Sequence, residues 1–550
     1  MQGRSFVRNG ITILSGYDPV RRCEAVADAV PVKDRTLYFC PSPVYGWGLG
    51  KFLSRLETQA SNSRILCVEA DPELYGISMK ETEPSVSAND KLRITNITEA
   101  GSLCAFIREC WGTMAFRRVE MIKFTGGWQL FAQLYNSLFE TIRREIARDW
   151  SNTLTLAKLG RLYARNTLRN LSLIPRFPSV KNLSFGSSPV LVLGAGPSLD
   201  ETLDEIERRF GENLRCGDRN AFKIVCADTC LGALKDRNIK PDLVVILESQ
   251  HWNLNDFTGC AGWNVQIAAD LCSLPQSLRI LGGKGFLFST LWTPLKIFER
   301  LKKESLLPAV FPPLGSVGLT AVEIARRLTT GKILCAGLDF SFTKDKYHAR
   351  STPGHRALLN SQNRFYRIFN RAAYSQHSAA AVSKSSLSVY VNPAMKNYRD
   401  LFEQEFGGDP RIFDIESSGL PLGIKTLLME DAMNLLDKNS LPAENQSEVN
   451  AVFSAGDLDN SQIILFCKNE KKRLEELRSL LTGETPADNE RLNILIDECD
   501  YLWAHFPDSY AVRRFDFTQA QAESENKLSF LKRVRAEIDP MLKILESGTV

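Results

Sequence analysis

Histidine is scarce in this sequence: His251, His348, His355, His377 and His505 are the only five in 550 residues. Cysteine reaches thirteen, yet no C-x-x-C pair occurs, and the nearest two, Cys226 and Cys230, flank an expected strand end. A zinc site needs clustered ligands, so no metal is expected, and the scattered thiols read as buried, reduced side chains of a cytoplasmic protein. No apolar stretch approaches the roughly 18 residues of a membrane span. The N-terminal MQGRSFVRNGITILSGYDP has neither a long apolar core nor a small-residue cleavage site, so neither export nor membrane insertion is expected. Charge of one sign is also missing. With 68 basic and 64 acidic side chains the net charge is +4, which argues against a polycation that binds nucleic acid. No repeat of fixed period and no long low-complexity tract is present.

What is present is an alternation of short apolar runs with helical spacing. TLYFC (36–40) is followed by Pro41-Ser42-Pro43, a turn from Gly46 to Gly50 and the helical KFLSRLE. RILCVE (64–69) ends on Glu69 and Asp71, VEMIKF (119–124) is a further strand candidate, and helical patterns cover 127–148 and 151–170. Strand, Gly-rich turn, helix, then strand with acid is the order of a mononucleotide-binding βαβ half. Further along, VLVLG (190–194), KIVCAD (223–228), LVVILE (243–248), VQIAA (265–269), GFLFS (285–289) and KILCAGLDF (332–340) are continuous apolar runs bounded by turn residues. Such runs predict strands covered on both faces, hence a parallel sheet between helix layers. Beyond the polar DKNSLPAENQSE (437–448), two sets of residues have the spacing of buried helix stripes. They are Leu492, Leu495, Ile496, Cys499, Leu502 and Trp503, and Leu528, Leu531, Val534, Ile538 and Leu542. The expected class is α/β. A Rossmann-like α/β domain with a helical extension is expected over 1–185, a doubly wound Rossmann-like domain over 186–430, and a helical domain over 431–550.

The sharpest local signal is Gly194-Ala195-Gly196-Pro197-Ser198, after a strand and before a helix with apolar Leu199, Leu203, Ile206 and Phe210. Ser198 and Glu201 have capping-box spacing, which predicts the helix start. The glycines allow a tight turn and close approach of a ligand, whose phosphate would meet free N–H groups and the positive helix end. Leu199 stands where a third glycine would complete the dinucleotide fingerprint, so NAD is not expected. Asp228 and Glu248 end strands, in the crevice where doubly wound folds hold ligands, and either could meet ribose hydroxyls or merely cap a helix. Gly315-Ser316-Val317-Gly318 precedes another helix, with Thr320 and Glu323 again at capping-box spacing, and could hold a second anionic group. From 342 to 384 eight bases, Lys344, Lys346, Arg350, Arg356, Arg364, Arg367, Arg371 and Lys384, face one acid, Asp345. This is either a solvated basic face or a lid over an acidic substrate.

With LVLGAGPSLD, ADTCLGALKDRNIKPDLVVILESQ, PLGSVGLTAVEIA and AGLDFSFTKDKYHAR in that order, residues 30 to 425 resemble the motility-associated-factor (Maf) family of bacterial flagellin glycosyltransferases. VYGWGLGKFLSRL and RILCVEADPEL are similar to its N-terminal Rossmann-like region, and ARNTLRN (164–170) to its paired-Asn helix. The glycine loop also resembles that of bacterial sialyltransferases that use CMP-sialic acid. Glu248 stands where the family more often has Asp, and 413–419 keeps part of an Asn and double-Gly motif. Pterin pyrophosphokinases share the central fold at a distance.

The resemblance implies transfer of a nonulosonic acid, pseudaminic or legionaminic in type, from a CMP-activated donor to Ser or Thr of flagellin, in support of flagellar assembly and motility. The donor is a substrate, and no cofactor or metal is implied. Under that chemistry His348 is the expected general base with Asp339 second, since His titrates near neutral pH unaided. Amides of 194–198 and 315–318, with Tyr347 or a lid cation, would hold the leaving phosphate. Arg350 would bind the donor carboxylate. Two other classes stay open: a methyltransferase built on the Gly46–Gly50 loop and Glu69, and a non-catalytic nucleotide-binding protein of flagellar assembly. The oligomeric state is open.

Overall fold

The computed structural model describes residues 6–14, 16–60, 62–112, 115–216, 222–371, 378–437, 460–483, 489–506 and 524–547. The chain divides into two compact units. One comprises Met1–Gly160 and His505–Asp516, the other Arg161–Ala504 and Phe517–Val550.

The first unit opens with an antiparallel hairpin, β1 (Phe6–Arg8) and β2 (Ile11–Leu14), which the sequence pattern did not suggest. Its sheet has β3 (Thr36–Pro41), β4 (Arg64–Val68), β5 (Leu92–Thr95) and β6 (Arg118–Met121) in the order β5-β4-β3-β6, all parallel. Alternate residues of each run pack to opposite faces. Tyr38, Cys40, Ile65 and Cys67 enter one core, and Leu37, Phe39, Leu66 and Val68 the other, which is why the runs are apolar without a break. The two helical patterns over 127–170 are one helix, Ala132–Asn170, after a short 3-10 turn at Gly127–Phe131. No Pro interrupts it and its one glycine, Gly160, lies beyond the polar stretch 149–153, which is helical and not a break.

The second unit is built on nine strands: β7 (Val190–Leu193), β8 (Lys223–Ala227), β9 (Leu243–Ile246), β10 (Ile267–Asp270), β11 (Gly285–Ser289), β12 (Ala309–Val310), β13 (Ile333–Ala336), and, past a surface hairpin of β14 (Ala379–Val382) and β15 (Ser388–Val391), β16 (Ile412–Ile415) and β17 (Thr426–Leu427). The sheet order is β12-β11-β10-β9-β8-β7-β13-β16-β17, and every neighbouring pair is parallel. The chain leaves β7 toward β8 on one side and returns to its other side at β13. That reversal makes a crevice at the carboxyl ends of β7 and β13. The helix Val317–Leu328 packs across β7, β8, β9 and β13 and leads directly into β13, so its N-terminus stands at the same edge.

The C-terminal helices Asn460–Thr482, Asn489–Glu498 and Ser524–Ser547 group with the central sheet in this unit. Glu470, fully buried, takes Arg300 Nε at 2.7 Å and Nη2 at 2.9 Å from the helix Lys296–Lys303. Asp500 accepts from the Lys296 amide at 3.2 Å. Leu495, Ile496, Cys499, Leu502 and Trp503 are buried as the stripe predicts, and so are Val534, Ile538 and Leu542. Leu528 is exposed, and Phe530 takes its place in the core. The polar stretch at 437–448 falls, past Asp437, outside the described residues. No helix among the described residues is long and apolar enough to cross a membrane.

Candidate active site

The glycine loop and the loop after β13 are knitted together. Gly194 N donates to Ala336 O and Gly196 N to Gly337 O, both at 2.8 Å, and Ser198 N donates to Asp339 Oδ2 at 2.7 Å. The Ser198 hydroxyl donates to Asp339 Oδ1. Ser198 therefore reaches across to β13 instead of closing a capping box with Glu201, although the helix does begin at Leu199. The approach is close: a Cβ on Gly196 would stand 2.6 Å from Asp339 Cγ. These glycines make room for the neighbouring loop more than for a ligand. With Pro197 lacking an N–H, Ala195 alone keeps an amide of the loop without a partner among the described residues. The first turn of the helix also carries Asp200 and Glu201.

The second loop has the opposite character. The helix starts at Val317, four residues before the Ala321 that a cap at Thr320 would give. Thr320 bonds back to Ser316 O at 3.0 Å, and buried Glu323 accepts from Arg327 at 2.7 Å. Ser316 makes no side-chain cap and no acid stands in the first turn, so the amides of that turn are open. A Cβ on Gly318 would meet Leu338, next to Asp339, and one on Gly315 would stand 3.4 Å from Tyr398. Of the two loops, 315–318 presents the open helix dipole beside the crevice.

Asp339 is buried, and burial raises its pKa while the two bonds from Ser198 oppose the rise. Gly419 packs on it, a Cβ there standing 2.7 Å from Asp339 Cα, and Leu420 N donates to Asp339 O at 2.9 Å. The partial motif at 413–419 therefore braces this acid. His348 lies over the glycine loop, and Ala349 N donates to Ala195 O at 3.0 Å. Burial pushes the His348 pKa below its ordinary value and His355 adds to the effect, against a hydrogen bond to the Ala195 backbone. The ring is thus neutral near pH 7, through burial first and not through the surrounding bases. Tyr347 stacks on Phe342 at 4.8 Å, and its hydroxyl accepts from Asn392 at 2.7 Å. Asn392 also caps the helix Pro393–Phe406.

The basic segment is less basic than its composition suggests, because acids from elsewhere answer it. Lys346 pairs with Asp200 at 2.8 Å, Arg356 with Asp236 at 3.4 Å and buried Lys384 with Asp414 at 2.6 Å. The Arg350 amide donates to Asp200 at 3.1 Å, while its side chain stays largely exposed. The segment contains the helix Pro353–Asn360 and strand β14, and residues 372–377, with His377, lie outside the described residues.

On the other side of β7, Asp228 is buried. Its Oδ2 accepts from Asn253 Nδ2 at 2.7 Å and its Oδ1 from Thr229 N at 2.9 Å. Glu248 is half-buried and its Oε1 accepts from the amides of Ser249 and Gln250, both at 2.9 Å. The paired Asn residues clamp the neighbouring loops: Asn166 donates to Ser249 O and Cys272 O, Asn170 to Leu271 O and Ser273 O, at 2.8–3.2 Å. Tyr163, near Glu248, Asp270 and Tyr398, and Trp292, 5.3 Å from Tyr163 ring to ring, complete an aromatic wall that no sequence motif marked.

In the first unit, the Glu69 carboxylate is fully buried and already accepts from Ser42 Oγ at 2.6 Å, Tyr135 OH at 3.2 Å and Asp71 N at 3.1 Å. So buried and bonded, Glu69 is not free for a ribose, and of the two features behind the methyltransferase alternative the Gly46–Gly50 loop, with Gly46 and Gly48 at positive φ, is the one that stands.

A parallel doubly wound sheet with a reversal of strand order at β7 and β13 defines a Rossmann-like α/β fold. Three similarities bear on it. Residues 165–345 match the family described as 6-hydroxymethylpterin diphosphokinase MptE-like. An uncharacterized protein of Treponema pallidum (strain Nichols) is 27% identical over 562 residues, spanning 98% of this chain and 94% of that protein. The solved structure of a MAf glycosyltransferase from Magnetospirillum magneticum AMB-1 superposes with a TM-score of 0.52 at 14% identity, covering 100% of this chain and 92% of the other. The chain therefore has the fold of that Maf structure along its whole length, beyond the residues 30 to 425 over which the sequence resemblance ran.

Proposed function

We propose that the chain is a glycosyltransferase that moves a nonulosonic acid from a CMP-activated donor to Ser or Thr of flagellin in the cytoplasm. The observation that carries this reading is the crevice at the carboxyl ends of β7 and β13, where the loop of His348 bonds to the glycine loop through Ala349 and Ala195 and the helix end at Gly318 packs against Leu338, beside Asp339, in a fold shared with a MAf glycosyltransferase. In the transfer, the bond from the anomeric carbon to the CMP phosphate oxygen breaks. The acceptor hydroxyl oxygen bonds to that carbon, its proton passes to His348, and CMP leaves. The amides of 316–318 meet the phosphate as its charge grows, and the Tyr347 hydroxyl, which accepts from Asn392, donates its own proton to it. Ala195 adds one amide, and Gly194, Gly196 and Ser198 support the loop by holding Asp339. Exposed Arg350, 3.9 Å from Asp200, turns to meet the donor carboxylate. The role needs no metal and no further cofactor. Mass spectrometry of flagellin from cells with and without this protein tests the reading: the sugar mass disappears with the protein. Unchanged flagellin mass contradicts it.

The match of residues 165–345 to the pterin diphosphokinase family favours one second reading, pyrophosphoryl transfer from ATP to a hydroxymethylpterin. That reaction calls for a divalent cation on the phosphates. Transfer that stops with chelator and returns with magnesium would select it.

A further inference from the structure

Asp228 stands where a doubly wound fold places its ribose acid, at the end of the strand next to the glycine loop. It cannot reach out. It is 3% exposed, and both oxygens are engaged, by Asn253 and by the Thr229 amide and hydroxyl. The same Asn253 Nδ2 extends to a second carboxylate, Asp256 Oδ2, at 3.2 Å. Asp256 is half-buried and follows Asn253 by one turn in the 3-10 segment His251–Phe257. Glu248 lies close enough to act on both acids.

Two buried groups at this corner have unmet hydrogen-bonding capacity. Among the described residues, Asn253, 2% exposed, has Oδ1 without a donor, and Ser249, 1% exposed, has Oγ without a partner. With Asn253 Nδ2 spent on the two aspartates, the carboxylates and the Asn253 carbonyl make the corner richer in acceptors than in donors, the Ser249 hydroxyl being an unmet donor beside them. Such a corner calls for a ligand rich in hydroxyl donors. The acids do not converge as metal ligands do, and among the described residues no group of three or more His, Cys, Asp or Glu has the arrangement of an ion site. We propose that Asp256, held in place by Asn253 and Asp228, accepts the 2′,3′-diol of the donor's ribose and makes the site selective for ribonucleotides over deoxyribonucleotides. Asp228 is then a positioning residue, and the ribose role passes from it to Asp256.

This inference rests on the cytidine-nucleotide reading above, and calorimetry separates the two. CMP and 2′-deoxy-CMP are titrated into the full-length wild type, Asp256→Asn and Glu248→Gln. The expected result is a wild-type preference for CMP of about tenfold, lost in Asp256→Asn and kept in Glu248→Gln. Deoxy-CMP affinity should be alike in wild type and Asp256→Asn, which also shows that the variant is folded. A preference that survives Asp256→Asn, or no wild-type preference at all, overturns the inference and leaves the cytidine reading standing. Loss of the preference in Glu248→Gln alone moves the diol to Glu248. A wild type that binds neither nucleotide overturns both.

Discussion

Ser198 and Asp339 lie 141 residues apart in the chain and meet through two hydrogen bonds, amide to Oδ2 at 2.7 Å and hydroxyl to Oδ1. The contact ties the first turn of the site to the last. It also decides what the glycine loop is for: its amides hold the neighbouring loop, and the open helix end is at Ser316–Gly318.

Gly196→Ala tests that packing. Its Cβ would stand 2.6 Å from the Asp339 carboxyl carbon, so either the acid or the loop must move. We expect a loss of about 1–3 kcal/mol in denaturant unfolding, the usual range for overpacking. Wild-type stability in the variant would mean that the two loops are not in contact.

Glu470→Ala should be among the more damaging single changes in the second unit. It leaves Arg300 buried beside Tyr501 without its carboxylate. Removing one partner of such a pair costs about 3–5 kcal/mol. Urea unfolding checks this, and a change below about 1 kcal/mol would show the pair to be solvated.

How much of this was legible beforehand follows from the range of the interactions. The apolar runs at 190–194, 223–228 and 332–340 identified strands because both faces are covered, a local and continuous signal. The strand-loop-helix order placed Gly194–Ser198, Asp339 and His348 at one edge for the same reason. The Ser198–Glu201 and Thr320–Glu323 spacings misled. A cap is a local choice, and in both cases a stronger partner won: Asp339 for Ser198, and Arg327 for Glu323. Asn253 and Asn392 gave no signal, since each is a single polar residue in a turn or cap whose partner comes from a distant part of the chain, and Asp256 is marked only by its bond to Asn253. The basic count over 342–384 overstated the charge because Asp200, Asp236 and Asp414 lie outside that window.

The pH dependence of turnover should follow His348. Burial lowers its pKa, so the ring stays neutral to a lower pH than an ordinary histidine. The rate should fall only as pH drops below about 6.5. His348→Ala should lower kcat by roughly 10²- to 10⁴-fold and abolish that acid limb. A limb that persists in the variant belongs to another group.

Asp256 should be costly to stability when charged. Burial, then Asp228 and Glu248, raise its pKa above that of a free carboxyl. A carboxyl whose folded pKa is raised contributes stability at low pH, and that contribution is lost as pH rises through the folded value. Asp256→Asn should therefore melt a few degrees above wild type at about pH 8, with a smaller gap at about pH 5. A variant that is destabilised equally at both values would contradict the assigned strain.

The most direct measurement of the central claim is transfer itself. Purified chain is mixed with a CMP-activated nonulosonic acid and unmodified flagellin in excess chelator, and the intact mass of flagellin is followed in parallel with released CMP. The account predicts a mass increase of one or more sugar residues, matched mole for mole by CMP and slowed in His348→Ala. No mass increase, together with magnesium-dependent pyrophosphoryl transfer from ATP to a hydroxymethylpterin, would contradict it.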